Sequence, residues 1–312
     1  MNGKNICILG GGGFVGHHLA SVLVERGFHV RIPTRRREAV KDMLVLPEAE
    51  IVEADIHAND RLAVLFEGMD VVVNLVGILH EDRHATFKDA HAELPRHILT
   101  ACRSTGVRRL LHMSALGADN ASRSVYQRSK AAGETRVLAA QGMDLDVTVF
   151  RPSVIYGPGD SFLTLFAELL KMAPVVPLAG AAARFQPVFV GDVARAFADA
   201  LDNPASFGQR IDLCGPKVYS LRELIELTAQ TLGLERRILP LGESASYLFA
   251  RLMELKPGRK LMTRDNHYAM LTDNVCPPGC EPQPTALESA IGYLREAGVR
   301  RRYMRHRSQA GR

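Results

Sequence analysis

The chain has 312 residues, 46% hydrophobic and 23% charged, an ordinary balance for a soluble globular protein with one large domain or two unequal ones. Its net charge of +5 belongs to the C-terminus: residues 300–312 hold six arginines and no acid, leaving the rest at −1. No apolar run approaches the ~18 residues of a spanning helix and nothing near Met1 reads as a signal peptide, so a cytoplasmic protein is expected, at most peripheral at the inner face of a membrane.

The segment Asn5–Leu9 reads as a buried strand running into four glycines and then a helix. That helix puts Val15, Leu19, Val22 and Leu23 on one face and stops at Gly27. The spacing Gly10-x-x-Gly13-x-x-Gly16 lets the backbone turn tightly and bring bare N–H groups against a pyrophosphate, under the positive end of the helix dipole. Gly10, Gly13, Phe14, Val15 and Gly16 are therefore candidate dinucleotide ligands. The second strand, residues 29–34, ends in Arg35-Arg36-Arg37 with no acid to meet ribose hydroxyls. Guanidinium groups match a 2′-phosphate, so Arg35 and Arg36 predict NADP(H) over NAD(H). Past a third strand at 51–53, Asp55 and Ile56 are placed to meet the adenine edge.

A short helix near 62–66, an apolar run at 71–75, a helix over 92–104, a strand at 109–113, a helix over 125–141 and a strand at 146–150 complete the first part. Short apolar strands alternating with helices predict an α/β fold, a Rossmann-type doubly wound parallel sheet. After Pro152 the pattern breaks at Gly157, Gly159, Pro174, Pro177 and the Ala/Gly run 179–183, and longer apolar helices appear at 162–170 and 247–255. Residues 1–156 are thus read as the NADP-binding domain. Residues 157–299 form a smaller substrate lobe covering the cofactor cleft, interleaved with the core near 185–215. Residues 300–312 form a basic disordered tail, either solvated or in contact with anionic lipid or an acidic partner; no reading motif accompanies it, so nucleic acid is not expected.

Five cysteines, an odd number spread along the chain, argue against a disulfide framework. Cys276 and Cys280 form the one close pair; even with His267 nearby they fall short of the four ligands of structural zinc, so no metal is expected.

Tyr126-x-x-x-Lys130 opens the helix after the fifth strand, and Ser114 ends that strand. A tyrosine and a lysine four apart share one helical face. The lysine charge lowers the phenol pKa, so Tyr126 can exchange a proton with a substrate hydroxyl or carbonyl while Ser114 hydrogen-bonds the same oxygen.

Together with the glycine turn, Asn74-Leu-Val76-Gly77 and Arg151-Pro-Ser153-Val154-Ile-Tyr-Gly-Pro-Gly159, these residues resemble the short-chain dehydrogenase/reductase superfamily of the extended or atypical kind, over nearly the whole chain. The resemblance implies a catalytic set of Ser114, Tyr126 and Lys130, with Asn74, Val76, Gly77, Arg151, Ser153 and Val154 near the cofactor. Within the superfamily the chain is most similar to the NAD(P)H-binding accessory-subunit family of respiratory complex I and its stand-alone bacterial relatives. The shared segments begin at Val30, Ser114, Phe185, Arg264 and Gln283. That group implies a tightly held NADPH, sometimes without turnover, and links to quinone metabolism. Ser114 and Tyr126 are 12 residues apart, which resembles classical and atypical members more than sugar-nucleotide epimerases. The expected function is an oxidoreductase acting on a small apolar or quinone-like carbonyl or alcohol. The alternative is a non-catalytic NADPH-holding module on a respiratory-chain or membrane partner, and the third reading is a nucleotide-sugar epimerase or dehydratase.

Overall fold

The computed structural model describes residues 3–58, 61–82, 85–254 and 262–295; Leu255, where a helix end was expected, and the basic tail 300–312 lie outside them. In chain order the elements are β1 (Asn5–Leu9), α1 (Phe14–Glu25), β2 (His29–Thr34), β3 (Ala49–Glu53), α2 (Arg61–Phe66), β4 (Val71–Asn74), α3 (Leu94–Thr105), β5 (Arg109–Met113), α4 (Val125–Leu138) and β6 (Asp146–Pro152). They continue as β7 (Ile155–Tyr156), α5 (Phe162–Met172), β8 (Val175–Leu178), β9 (Arg184–Phe185), β10 (Val188–Phe189), α6 (Val190–Asp199) and β11 (Arg210–Leu213). The last are β12 (Tyr219–Ser220), α7 (Leu221–Thr231), β13 (Arg237–Pro240), α8 (Glu243–Glu254), α9 (Arg264–Ala269) and α10 (Leu287–Ala290).

The chain divides into two compact units. One runs to Pro152 and takes back Val190–Leu213; the other is Ser153–Phe189 with the chain from Cys214 onward. The first unit holds a seven-stranded sheet in the order β11-β6-β5-β4-β1-β2-β3, every pairing parallel. All of β4 and four of the five residues of β5 are buried, as strands covered on both faces must be. On one face Cys7, Leu9, Val72, Leu110 and Val147 pack with Leu65, Phe66, Leu94 and Ile98. Strand order reverses between β1 and β4, and a parallel sheet opens a crevice at such a point, outside the carboxyl ends of its strands. The register sets Leu9 level with Asn74 and Asn74 level with His112. Three strands therefore deliver Gly10, Asn74 and Ser114 to one edge of the sheet. The seventh strand, β11, comes from late in the chain; four residues of mixed polarity carry too little periodicity to mark it in the sequence.

The second unit is built around Tyr156, Leu163, Leu170, Phe185, Leu224 and Ile225, with strand pairs β10-β7, β12-β9 and β13-β8. Ser220 and Glu223 close a reciprocal capping box at the start of α7. Here one expectation is corrected: Cys214 and Cys276 form a disulfide across 62 residues of sequence. Chain folding rather than spacing brings them together. Gln186 Oε1 accepts the Cys276 N–H at 3.0 Å, and the Gln283 N–H donates to the Cys214 carbonyl at 2.7 Å. Cys280, the sequence neighbour of Cys276, stays outside the bond. Among the described residues no helix is long and apolar enough to cross a membrane.

Candidate functional site

At the end of β1 the chain bends through Gly10, whose φ of +78° lies in the left-handed region open to glycine. The Gly11 N–H donates to the Ile8 carbonyl at 3.1 Å and the Gly13 N–H to the Gly10 carbonyl at 2.9 Å. A Cβ on Gly16 would fall 2.3 Å from the Gly11 carbonyl oxygen, so the first turn of α1 packs directly on the bend. Gly13 caps that helix with no side-chain hydrogen bond, and its first turn holds no acid. The leading N–H groups have no intrahelical acceptor and sit at the positive end of the dipole, which makes the bend a cradle for an anion. Val15 is buried below it, and Phe14 meets His18 edge-on at 5.7 Å.

The register of β2 beside β1 carries Thr34 to the same edge. Thr34 Oγ1 accepts the Arg36 N–H at 3.3 Å and donates to the Arg36 carbonyl at 3.2 Å, curling the chain past the strand. Buried Val40 follows, its side chain 2.6 Å from the place of a Cβ on Gly12, so this curl is held against the glycine bend. Arg35, Arg36 and Arg37 are exposed, and among the described residues none of their guanidinium groups has a hydrogen-bond or ion-pair partner. Asp55 accepts the His57 N–H at 3.1 Å, and Ile56 packs on the core below β3.

Asn74 is buried with its amide engaged at both ends. Nδ2 donates to His112 Nδ1 at 3.0 Å, and Oδ1 accepts the Val76 N–H at 3.1 Å. Across from it, Ser124 caps α4 by accepting the Gln127 N–H at 3.3 Å. Lys130, one turn beyond Tyr126, is 3% exposed. Its ammonium donates to the Met113 carbonyl at 3.2 Å and lies 3.0 Å from the place of a Cβ on Gly77. No carboxylate pairs with it among the described residues. Burial pushes its pKa down to about 8. Ser114 Oγ and His112 Nε2 are buried without a hydrogen-bond partner; orphaned polar atoms of this kind mark a place for a ligand or an ordered water.

Arg151 turns onto buried Glu134 of α4, with Nε 2.7 Å from Oε2 and Nη2 2.5 Å from Oε1, and Arg210 shares Oε1 at 2.5 Å. Its guanidinium is thus engaged by a protein carboxylate. Ser153 and Val154 belong to the second unit, where Asn274 Oδ1 accepts the Ser153 hydroxyl at 2.6 Å and the Val154 N–H at 3.2 Å.

The sequence profile of the NAD dependent epimerase/dehydratase family matches residues 6–214, from β1 through the end of β11. The chain belongs to that family. It is 30% identical over 322 residues to NADH dehydrogenase [ubiquinone] 1 alpha subcomplex subunit 9 of Rattus norvegicus, covering 98% of this chain and 82% of that protein. It is 28% identical to a ceramide reductase of Caulobacter vibrioides, covering 76% of this chain and 74% of that protein. In fold it is similar to a nucleoside-diphosphate-sugar epimerase from Staphylococcus aureus, with a TM-score of 0.73, 19% identity, and coverage of 93% of this chain and 99% of that one.

As a member of the epimerase/dehydratase family the chain is expected to carry a nicotinamide dinucleotide, and the first unit fits one. The bend at Gly10, Gly13 and Gly16 offers a diphosphate cradle, Arg35 and Arg36 offer open guanidinium groups, and Gly77 lies against the Lys130 ammonium. Sequence reasoning missed three members of this cluster: His91, His112 and Glu134. A histidine in an apolar strand, such as His112, has no spacing signal; only the register of β4 against β5 reveals its pairing with Asn74.

Proposed function

We propose that this family member is an NADP(H)-binding oxidoreductase acting on a small apolar or quinone-like carbonyl or alcohol, with Tyr126 as acid/base. The observation that carries the reading is Lys130, a buried ammonium with no carboxylate partner among the described residues, one turn from Tyr126 and bonded to the carbonyl of Met113, next in the chain to the orphaned Ser114 hydroxyl. A buried cation without a counter-ion is costly to keep charged, and groups perturbed in this way cluster at functional sites. Here its charge would stabilise negative charge developing on the phenol oxygen, so that Tyr126 exchanges a proton with the substrate oxygen while Ser114 donates to the same atom. When bound, the nicotinamide supplies or accepts the hydride. Arg35 and Arg36 would hold a 2′-phosphate, and the N–H groups around Gly13 the diphosphate. The relative named ceramide reductase supports both the reductive chemistry and an apolar substrate. The test is NADPH oxidation against a panel of carbonyls and quinones. Tyr126→Phe should lose about 100-fold or more in kcat, the usual worth of general acid–base help; equal rates on every substrate contradict the assignment.

The second reading is an NADPH-holding module without turnover, cytoplasmic and docked on a respiratory or membrane partner. It is favoured by the likeness, across 98% of this chain, to a protein named as a NADH dehydrogenase subunit. Deleting residues 300–312 should release such a module from the membrane fraction; unchanged partitioning removes the tail from that role.

A further inference from the structure

A π-helical turn, Asp89–Glu93, precedes α3 and carries a histidine that the chemistry above leaves unused. His91 is 2% exposed. Its Nε2 accepts the Ile78 N–H at 3.0 Å. A backbone N–H can only donate, so that ring nitrogen bears no proton and the neutral ring keeps its proton on Nδ1. Nδ1 in turn donates to Ser129 Oγ at 2.8 Å, and the Ser129 hydroxyl donates to the Tyr126 carbonyl at 2.7 Å. Each link permits one direction only, which fixes the tautomer.

Packing presses the same residue onto α4. The His91 ring stacks on Phe87 at 5.6 Å and meets the Tyr126 ring edge-on at 5.5 Å, while Phe87 touches Tyr126 as well. A Cβ on Gly133 would fall 1.9 Å from the His91 carbonyl oxygen. The titratable groups facing the ring are Lys130 and Tyr126 from α4 and His112 from β5. On its own turn Asp89 is bonded to Thr86, and Glu93 is paired with Arg96 and Arg136. Burial first, then the charges of Lys130 and His112, push the imidazole down to about 2. A second ring proton would also face the Ile78 N–H head-on.

We propose that His91 is a positioning residue: a neutral, Nδ1-protonated imidazole that clamps Gly77 and Ile78, in the loop after β4, to the first turn of α4 and so fixes Tyr126 and Lys130 against that loop. Its meaning for catalysis rests on the oxidoreductase reading; its existence does not. Gly77, where a Cβ would lie 3.0 Å from the Lys130 ammonium, is the residue just before the one His91 grips.

The experiment has two arms. Nitrogen-15 spectra of the histidines in the full-length wild-type protein should show one ring as the Nδ1–H tautomer that does not titrate between pH 7 and pH 5, and that signal should vanish in His91→Gln. A His91 signal of the Nε2–H tautomer, or one that titrates near the ordinary value of 6.5, overturns the clamp. In the kinetic arm, His91→Phe keeps the ring packing but loses both hydrogen bonds. It should lower kcat for carbonyl reduction roughly 10- to 100-fold, the scale of a misplaced reacting group, and move the pH profile. His91→Gln offers an acceptor to Ile78 and a donor to Ser129 and should recover most of the loss. A wild-type kcat and pH profile in His91→Phe overturns the proposal. If the wild-type protein reduces no carbonyl at all, the oxidoreductase reading falls, while the nitrogen spectra still decide the clamp.

Discussion

The proposed preference for NADP(H) rests on Arg35 and Arg36, because a guanidinium matches a 2′-phosphate where no acid competes for it. Both sit on the curl that Thr34 forms with its own hydroxyl, held against the glycine bend by Val40. Arg35→Ala and Arg36→Ala should each weaken NADPH binding by about 1–3 kcal/mol, the worth of a charged hydrogen bond, and leave NADH nearly unchanged. Titration calorimetry with the two cofactors reads the difference; equal losses for both would contradict a 2′-phosphate role. The place of these arginines was legible from sequence, because they follow directly on the end of the second strand. His91 was not, since a lone histidine on a helix has no spacing that separates a clamp from an ordinary core residue. Only the π-helical turn and the Ile78 N–H support the positioning role proposed for it.

At the level of elements, strands and helices were readable wherever a long apolar pattern ran without interruption. The helix expected over 125–141 is α4, Val125–Leu138, and the strand expected at 146–150 is β6, Asp146–Pro152. What the pattern could not show was how elements are pinned together. Glu134 of α4 lies 1% exposed between Arg151 of β6 and Arg210 of β11, tying three neighbouring elements through one carboxylate. Its two arginines come from places 17 and 76 residues away, a pairing no local signal carries. The Cys214–Cys276 bond was hidden for the same reason. Glu134→Ala leaves two guanidinium groups without their partner, and the change should cost about 2–4 kcal/mol, reduced from the full buried value because Arg210 can reach water. Urea denaturation reads this directly; a midpoint equal to wild type would show that the three-way pairing adds nothing to stability.

Over the whole molecule, the buried cluster behind the crevice makes stability depend on pH. Burial holds His91 near 2 and His112 near 3, against an ordinary value of 6.5. Below pH 6.5 the unfolded chain takes up two protons that the folded chain refuses. Stability should therefore fall as pH drops from 6.5 toward 3, by about 1.4 kcal/mol per pH unit for each histidine. Lys130 acts at the other end. Its pKa is lowered to about 8 from 10.5, so its contribution rises between pH 8 and pH 10.5, where the unfolded chain alone keeps the proton. Unfolding midpoints of wild type and His91→Phe across pH 7 to 5 should show a shallower acid slope in the variant, by one proton. Identical slopes would mean that His91 does not resist protonation.

The architecture brings the glycine bend, the arginine curl and the Ser114 end of β5 to one edge of one sheet, and the proposed function has a phosphorylated nicotinamide dinucleotide bind there. Calorimetry on protein freed of nucleotide tests that most directly. The account predicts saturable, one-to-one binding of NADPH, tighter than that of NADH; failure of both cofactors to bind would contradict it.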